Sequence, residues 1–338
     1  MYTRDYIGIV AEAANRRISF FNTNTLEVLQ QLPIDADVID VAVNKDCTRA
    51  FVTSFDSRTM YQIELCATPA RIIGSAVSTT LLEDVAVTPD GKYALAVDGS
   101  AENQDIVSFS ARQNAFVSSL PTSTQAVAIS PRSSKMVLTA DYFNNSVHRF
   151  VIKPDGTMED AGQSFPAGAG PINIVFSPNG EFAFVAASND NRVNVLSTLI
   201  PNNVLLLGGA ASSAFLQSLA VTRDGRHVFA LTGSNVDIYA FDPVAGSLTL
   251  ERSFAHGLTI TQYYGVDQIA LDAREKKLFI SANGQVVVFT TYGLPLGSLD
   301  GVQGPGGIAI CSCFGNVSRQ NKDRNRLESA AHIQYRQA

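Results

Sequence analysis

The stretch Leu82-Glu83-Asp84-Val85-Ala86-Val87-Thr88-Pro89-Asp90-Gly91-Lys92-Tyr93-Ala94-Leu95-Ala96-Val97 places two short apolar runs on either side of Pro89-Asp90-Gly91. Glycine accepts the positive φ of a tight reversal, so Asp-Gly between apolar runs signals a hairpin. The stretch predicts an antiparallel strand pair. The pattern returns as Ile174-Val175-Phe176, Pro178-Asn179-Gly180 and Phe182-Ala183-Phe184-Val185, and again as Leu219-Ala220-Val221, Arg223-Asp224-Gly225 and His227-Val228-Phe229-Ala230. Weaker copies pair Val41-Ala42-Val43 with Arg49-Ala50-Phe51-Val52, Val127-Ala128-Ile129 with Lys135-Met136-Val137-Leu138, and Ile269-Ala270-Leu271 with Lys277-Leu278-Phe279-Ile280. A last copy, Ile308-Ala309-Ile310, has no partner after it.

The first strands begin at residues 41, 85, 127, 174, 219, 269 and 308, a period that fits blades of four short strands. Further strand-like runs follow the hairpins, among them 58–63, 146–151, 192–196 and 236–240. The seventh copy supplies one inner strand, while the N-terminus offers Tyr6–Val10, Arg17–Phe21 and Leu26–Leu29, enough to complete that blade. The expectation is an all-β fold: a single seven-bladed β-propeller of WD40-like architecture over residues 1–313, with four-stranded blades and closure between the N- and C-terminal ends. Closure removes the free sheet edges that would invite pairing with another chain. An open stack or a pair of β-sandwiches fits the regular period and the complementary ends less well. Alanine at the centre of six of the first strands reads as relief of crowding near the axis.

The chain has 338 residues, of which 46% are apolar and 17% charged, enough material for one large ordered domain. Its formal charge of −6 speaks against nucleic acid as a partner, which draws on a basic surface. The most apolar region, residues 193–221, is broken by Pro201, Asn202, Asn203, Gly208 and Gly209 and does not read as a membrane span. The N-terminus lacks the apolar core and cleavage site of a secretory signal, so the expected location is cytoplasmic, or exported if a signal was removed. Residues 314–338 lose the apolar periodicity and read as a polar C-terminal appendage.

The segments 82–97 and 170–185 resemble the YVTN-type propeller repeat, and they are similar to repeats of the seven-bladed lactonase-like family. The resemblance spans about residues 6–310 as repeated architecture. It implies either hydrolysis of sugar lactones or a binding role, since both occur among such propellers. A histidine soon after the Gly-Pro is implied by the lactonase resemblance, whereas Gly170-Pro171 is followed here by Ile172-Asn173.

Propeller sites gather side chains from several blades at the axial channel. The residues just before the first strands are Asp40, Asp84, Ala126, Asn173, Ser218, Gln268 and Gly307. Asp40, Asp84, Asn173 and Gln268 are the candidate ligand-binding residues, with loop capping as the competing explanation. Glu83 and Asp267 are further acids at blade entrances that could serve as general bases. The histidines, His148, His227, His256 and His332, are dispersed and show no zinc spacing, and Cys311-x-Cys313 lacks two further ligands. Cys47 and Cys66 complete a set too small for a disulfide framework. No cofactor is implied, and no glycine-rich phosphate loop occurs. The leading functional expectation is non-catalytic recognition or scaffolding, a rigid face binding a protein, polymer or small molecule. The alternative is a lactone hydrolase using polar residues near the channel, with or without a divalent metal.

Overall fold

The computed structural model describes residues 7–99, 105–133, 135–260, 266–282, 284–304 and 306–311. They form a seven-bladed propeller of four-stranded antiparallel sheets. The inner strands are Val38–Val43, Asp84–Val87, Ala126–Ile129, Pro171–Phe176, Leu216–Val221, Ile269–Leu271 and Ile308–Cys311, which open blades 1 to 7 in that order. Blade 7 is completed by Ile7–Glu12, Arg17–Asn22 and Val28–Pro33, with Ile7 opposite Cys311 and Val10 opposite Ile308. The two ends of the chain therefore close the ring, as the sequence implied.

The repeated turn has a side-chain reason. Thr88, Ser177 and Thr222 each hydrogen-bond the Asp or Asn two residues on, at 2.7, 2.7 and 2.6 Å. The same hydroxyls accept the N–H that opens the second strand, from Tyr93, Phe182 and His227, at 3.1, 3.0 and 3.0 Å. Gly91, Gly180 and Gly225 supply the positive φ of 67°, 63° and 69°. The weaker copies reach the same end otherwise: Asn44 and Asp272 use one carboxamide or carboxylate oxygen to accept two N–H groups each. Their sequences hide the turn because a different residue carries it.

Every blade buries both faces against its neighbours, so middle strands read as continuous apolar runs; Phe182–Ala187 is buried at every position. The core is divided into clusters shared by consecutive blades. Ile9, Ile18 and Phe20 of blade 7 pack on Val41, Val52 and Ile63 of blade 1, and Phe184 and Val195 of blade 4 pack on Leu219 and Val228 of blade 5. The third N-terminal strand starts at Val28, not Leu26, and runs on to Pro33. Leu26 stands at φ 64°, a left-handed conformation that a strand cannot contain. The expected appendage, residues 314–338, lies outside the described residues. No helix among the described residues is long and apolar enough to cross a membrane.

Candidate functional site at the axial rim

The start of each inner strand faces one end of the axis, together with the end of the second strand and the start of the third. At that rim, residues just before or at the start of four inner strands reach to the neighbouring blade. Asp40 Oδ2 accepts the Val85 N–H at 3.2 Å, Asp84 Oδ2 accepts that of Val127 at 2.6 Å, and Asn173 Oδ1 accepts that of Leu219 at 3.1 Å. Ser218 Oγ accepts the Gln268 N–H at 3.2 Å. Buried backbone donors are thus satisfied across blade boundaries. Ala126 and Gly307 carry no side-chain acceptor at the equivalent positions. Gly307 is a glycine for a spatial reason: a Cβ there would land on Asp40 Oδ1.

Asp267 draws these elements together. It precedes blade 6, yet its Oδ1 accepts from Asn173 Nδ2 of blade 4 at 3.1 Å, and its backbone N–H donates to the Asp40 carboxyl of blade 1. Its carbonyl accepts the Ile308 N–H of blade 7 at 2.8 Å. Of the four residues expected to bind ligand, Asp40, Asp84 and Asn173 join this network, while Gln268 is buried at its margin. All four are at most 3% exposed, so they form a polar plug; Asp267 is half-buried.

Burial sets the protonation of the plug. It raises Asp40 to about 6, offset in part by hydrogen bonds from Asp84 and three backbone N–H groups. It raises Asp84 well above the usual carboxylate range, and the nearby Asp40 and Asp267 carboxylates push further. Asp84 is therefore the member that holds a proton, and it hydrogen-bonds Asp40. Asp267 is raised to about 7, by burial first and then by the charge of Asp40. Glu83, beside the second strand of blade 2, is also raised to about 7 by burial and by Asp98. Its Oε2 is buried without a hydrogen-bond partner, pressed where a Cβ on residue 99 would fall, so Gly99 is required.

The histidines do structural work elsewhere. His256 accepts the Leu258 N–H at its Nδ1 and hydrogen-bonds the Thr232 carbonyl at 3.0 Å. His148 Nε2 meets both Asp141 and Ser146, at 3.1 and 3.2 Å; with both contacts on one nitrogen, it cannot relay a proton between them. His227 pairs with Glu251 at 3.4 Å. His332 and Cys313 lie outside the described residues. Among the described residues, no three His, Cys, Asp or Glu side chains are placed to hold one metal ion. A groove of about 670 Å³ runs between the outer strands of blades 6 and 7, lined by Leu26, Val28, Ser298 and Asp300.

A solved structure of a functionally unknown protein from Desulfotomaculum acetoxidans superimposes with a TM-score of 0.88 at 38% identity, covering 91% of this chain and 99% of that one. The chain belongs to the same family. A periplasmic gluconolactonase from Pseudomonas aeruginosa aligns with a TM-score of 0.74 at 15% identity, covering 90% and 98% of the two chains. A candidate 6-phosphogluconolactonase from Bacteroides fragilis gives 0.74 at 15% identity, covering 92% and 99%. These two distant likenesses share the family's fold of seven blades. No protein-family model matches the chain, and no curated protein does.

Asp267 was legible in the sequence as an acid at a blade entrance, but its reach to Asn173 was not. Ninety-four residues separate the two, and only ring closure makes them neighbours.

Proposed function

We propose that the chain is a hydrolase of small cyclic esters acting at the axial rim, with Asp267 as the general base. One observation carries this reading: the half-buried Asp267 has a carboxyl raised to about 7, is fixed on both sides of its backbone and is oriented by Asn173. A base titrating near the working pH gives the best compromise between availability and proton affinity. The gluconolactonase likeness supports the substrate class, as does the lactonase-like and YVTN-type character of the repeats.

In the proposed reaction, the ionised Asp267 takes a proton from water as the water oxygen bonds to the lactone carbonyl carbon. The ring C–O bond then breaks, and Asp267 returns its proton to the departing alkoxide. The products are one hydroxy acid, with atoms and charge balanced. Asn173 orients the carboxylate, and the buried Asp40 charge keeps its proton affinity high. Lactone hydrolysis should follow a single ionisation, rising with pH to a plateau above about 7. Asp267→Asn should lower kcat by at least about 100-fold, the usual worth of a positioned base. A variant with unchanged kcat would sink the assignment.

A second reading keeps the recognition role and has its own observation. Leu199, Ile200, Leu205, Leu207 and Val244 are exposed on blades 4 and 5, away from the rim, and Leu207 sits beside Gly246 of the next blade. Exposed apolar groups gathered in this way are commonly contact surface. Under this reading, Leu205→Lys abolishes an association seen by sedimentation of the wild-type chain. No association by either chain would remove it.

A further inference from the structure

We infer that the rim takes an uncharged or cationic lactone and rejects phosphorylated or carboxylated ones, an inference that deepens the hydrolase reading and rests on it. The warrant is the division of charge between the two ends of the propeller. Every described lysine, Lys45, Lys92, Lys135, Lys153, Lys276 and Lys277, lies in or at the edge of a turn at the end opposite the rim. Among the described residues, the turns at the rim end carry four arginines and His256 and no lysine, and each is engaged. Arg16 pairs with Asp35 and Arg17 with Glu12, while Arg58 donates to the Thr79 carbonyl and Arg192 to that of Gly209. Asp37, Asp56, Asp190 and Asp300 add negative charge in the same loops.

At the centre, Asp267 is the half-buried acceptor, and the Asp40 and Glu83 carboxyls sealed around it make a surplus of acid groups with no cation among them. A sugar lactone brings hydroxyl donors and an amino-lactone brings an ammonium, both of which answer that surplus. A phosphate brings only acceptors and like charge, and no lysine at the rim is free to meet it. Anionic rings are thus repelled on approach and left unpaired on arrival.

The test compares three lactones with the full chain: uncharged glucono-δ-lactone, anionic 6-phosphogluconolactone and cationic homoserine lactone, each at low and high salt. At low salt, kcat/KM for the phosphorylated ring should fall below that for the uncharged ring by at least about tenfold, and the gap should narrow as salt screens the field. A phosphorylated ring hydrolysed equally well or better overturns the inference and leaves the hydrolase reading standing. If no ring is hydrolysed, that reading falls separately, and thermal shifts decide the charge preference. A rise in Tm with the uncharged or cationic ring, lost in Asp267→Asn, upholds it. An equal rise with the phosphorylated ring, or no rise with any, overturns it.

Discussion

Asp84 and Asp267 are the same residue type at the same rim, both raised by burial, and the structure puts them to opposite uses. The Asp84 carboxyl is consumed inside the fold: it accepts the Val127 N–H at 2.6 Å, hydrogen-bonds Asp40 and is 3% exposed. Asp267 instead commits its backbone to the neighbouring blades, its carboxyl receives one carboxamide, and the residue as a whole stays half-buried. The difference teaches that a buried acid near an axis is not by that fact a site. What matters is whether its carboxyl has anything left to offer.

The sharpest way to break the comparison is to remove both carboxyls in turn. Asp267→Asn should cost about 3–4 kcal/mol in transition-state stabilisation for lactone hydrolysis while leaving Tm nearly unchanged below about pH 6, where the native Asp267 is protonated. Asp84→Asn should do the reverse. The carboxamide keeps an acceptor for Val127 and a donor for Asp40, so it mimics the protonated acid. Folded-state values above the ordinary 3.8 mean that the native chain binds these protons more tightly than the unfolded one. The stability they contribute is complete below about pH 4 and is lost as pH rises through about 6 to 7. Asp84→Asn should therefore melt with the wild type at pH 4 and be the more stable of the two at pH 8, read from denaturant curves at both values. Equal stability at pH 8 would mean that Asp84 ionises without cost and is no fastener.

Asp40 stands between the two roles. Its charge adds to burial in holding Asp267 up, so Asp40→Asn should move the midpoint of the pH–rate profile toward acid. A merely structural role would change the rate without moving the midpoint.

The ring itself was open to reading because its determinants are local. Hydroxyl-and-carboxylate turns such as Thr88 with Asp90 repeat at a fixed period, and apolar runs buried on both faces leave no other period to mistake. The residues before the inner strands could also be named, because register follows from the hairpins. Their partners could not. The contact of Asn173 with Asp267 crosses the axis, and whether Asp40 fastens a blade or faces a ligand depends on where the Val85 N–H falls. Sequence spacing carries no record of either distance.

The blades also differ in how they turn from second to third strand, and the smallest effect tests that difference. Among the described residues, the one just before the third strand is left-handed in five blades: Arg16 at φ 49°, Arg58 at 53°, Asn145 at 57°, Asn191 at 49° and Gly284 at 77°. Asparagine tolerates this conformation better than most residues, and Asn145 Oδ1 is also held by the Gly170 N–H of the loop into the next blade, at 2.9 Å. Arginine has no such compensation, and Arg58 offers only an exposed hydrogen bond to the Thr79 carbonyl at 3.2 Å. Arg58→Asn should therefore stabilise blade 1 by about 0.5 kcal/mol, seen as a small rise in Tm with hydrolysis unchanged. A fall in Tm would show that the Arg58 bond outweighs the backbone strain, and that the arginine turns are held by their side chains as firmly as the asparagine ones.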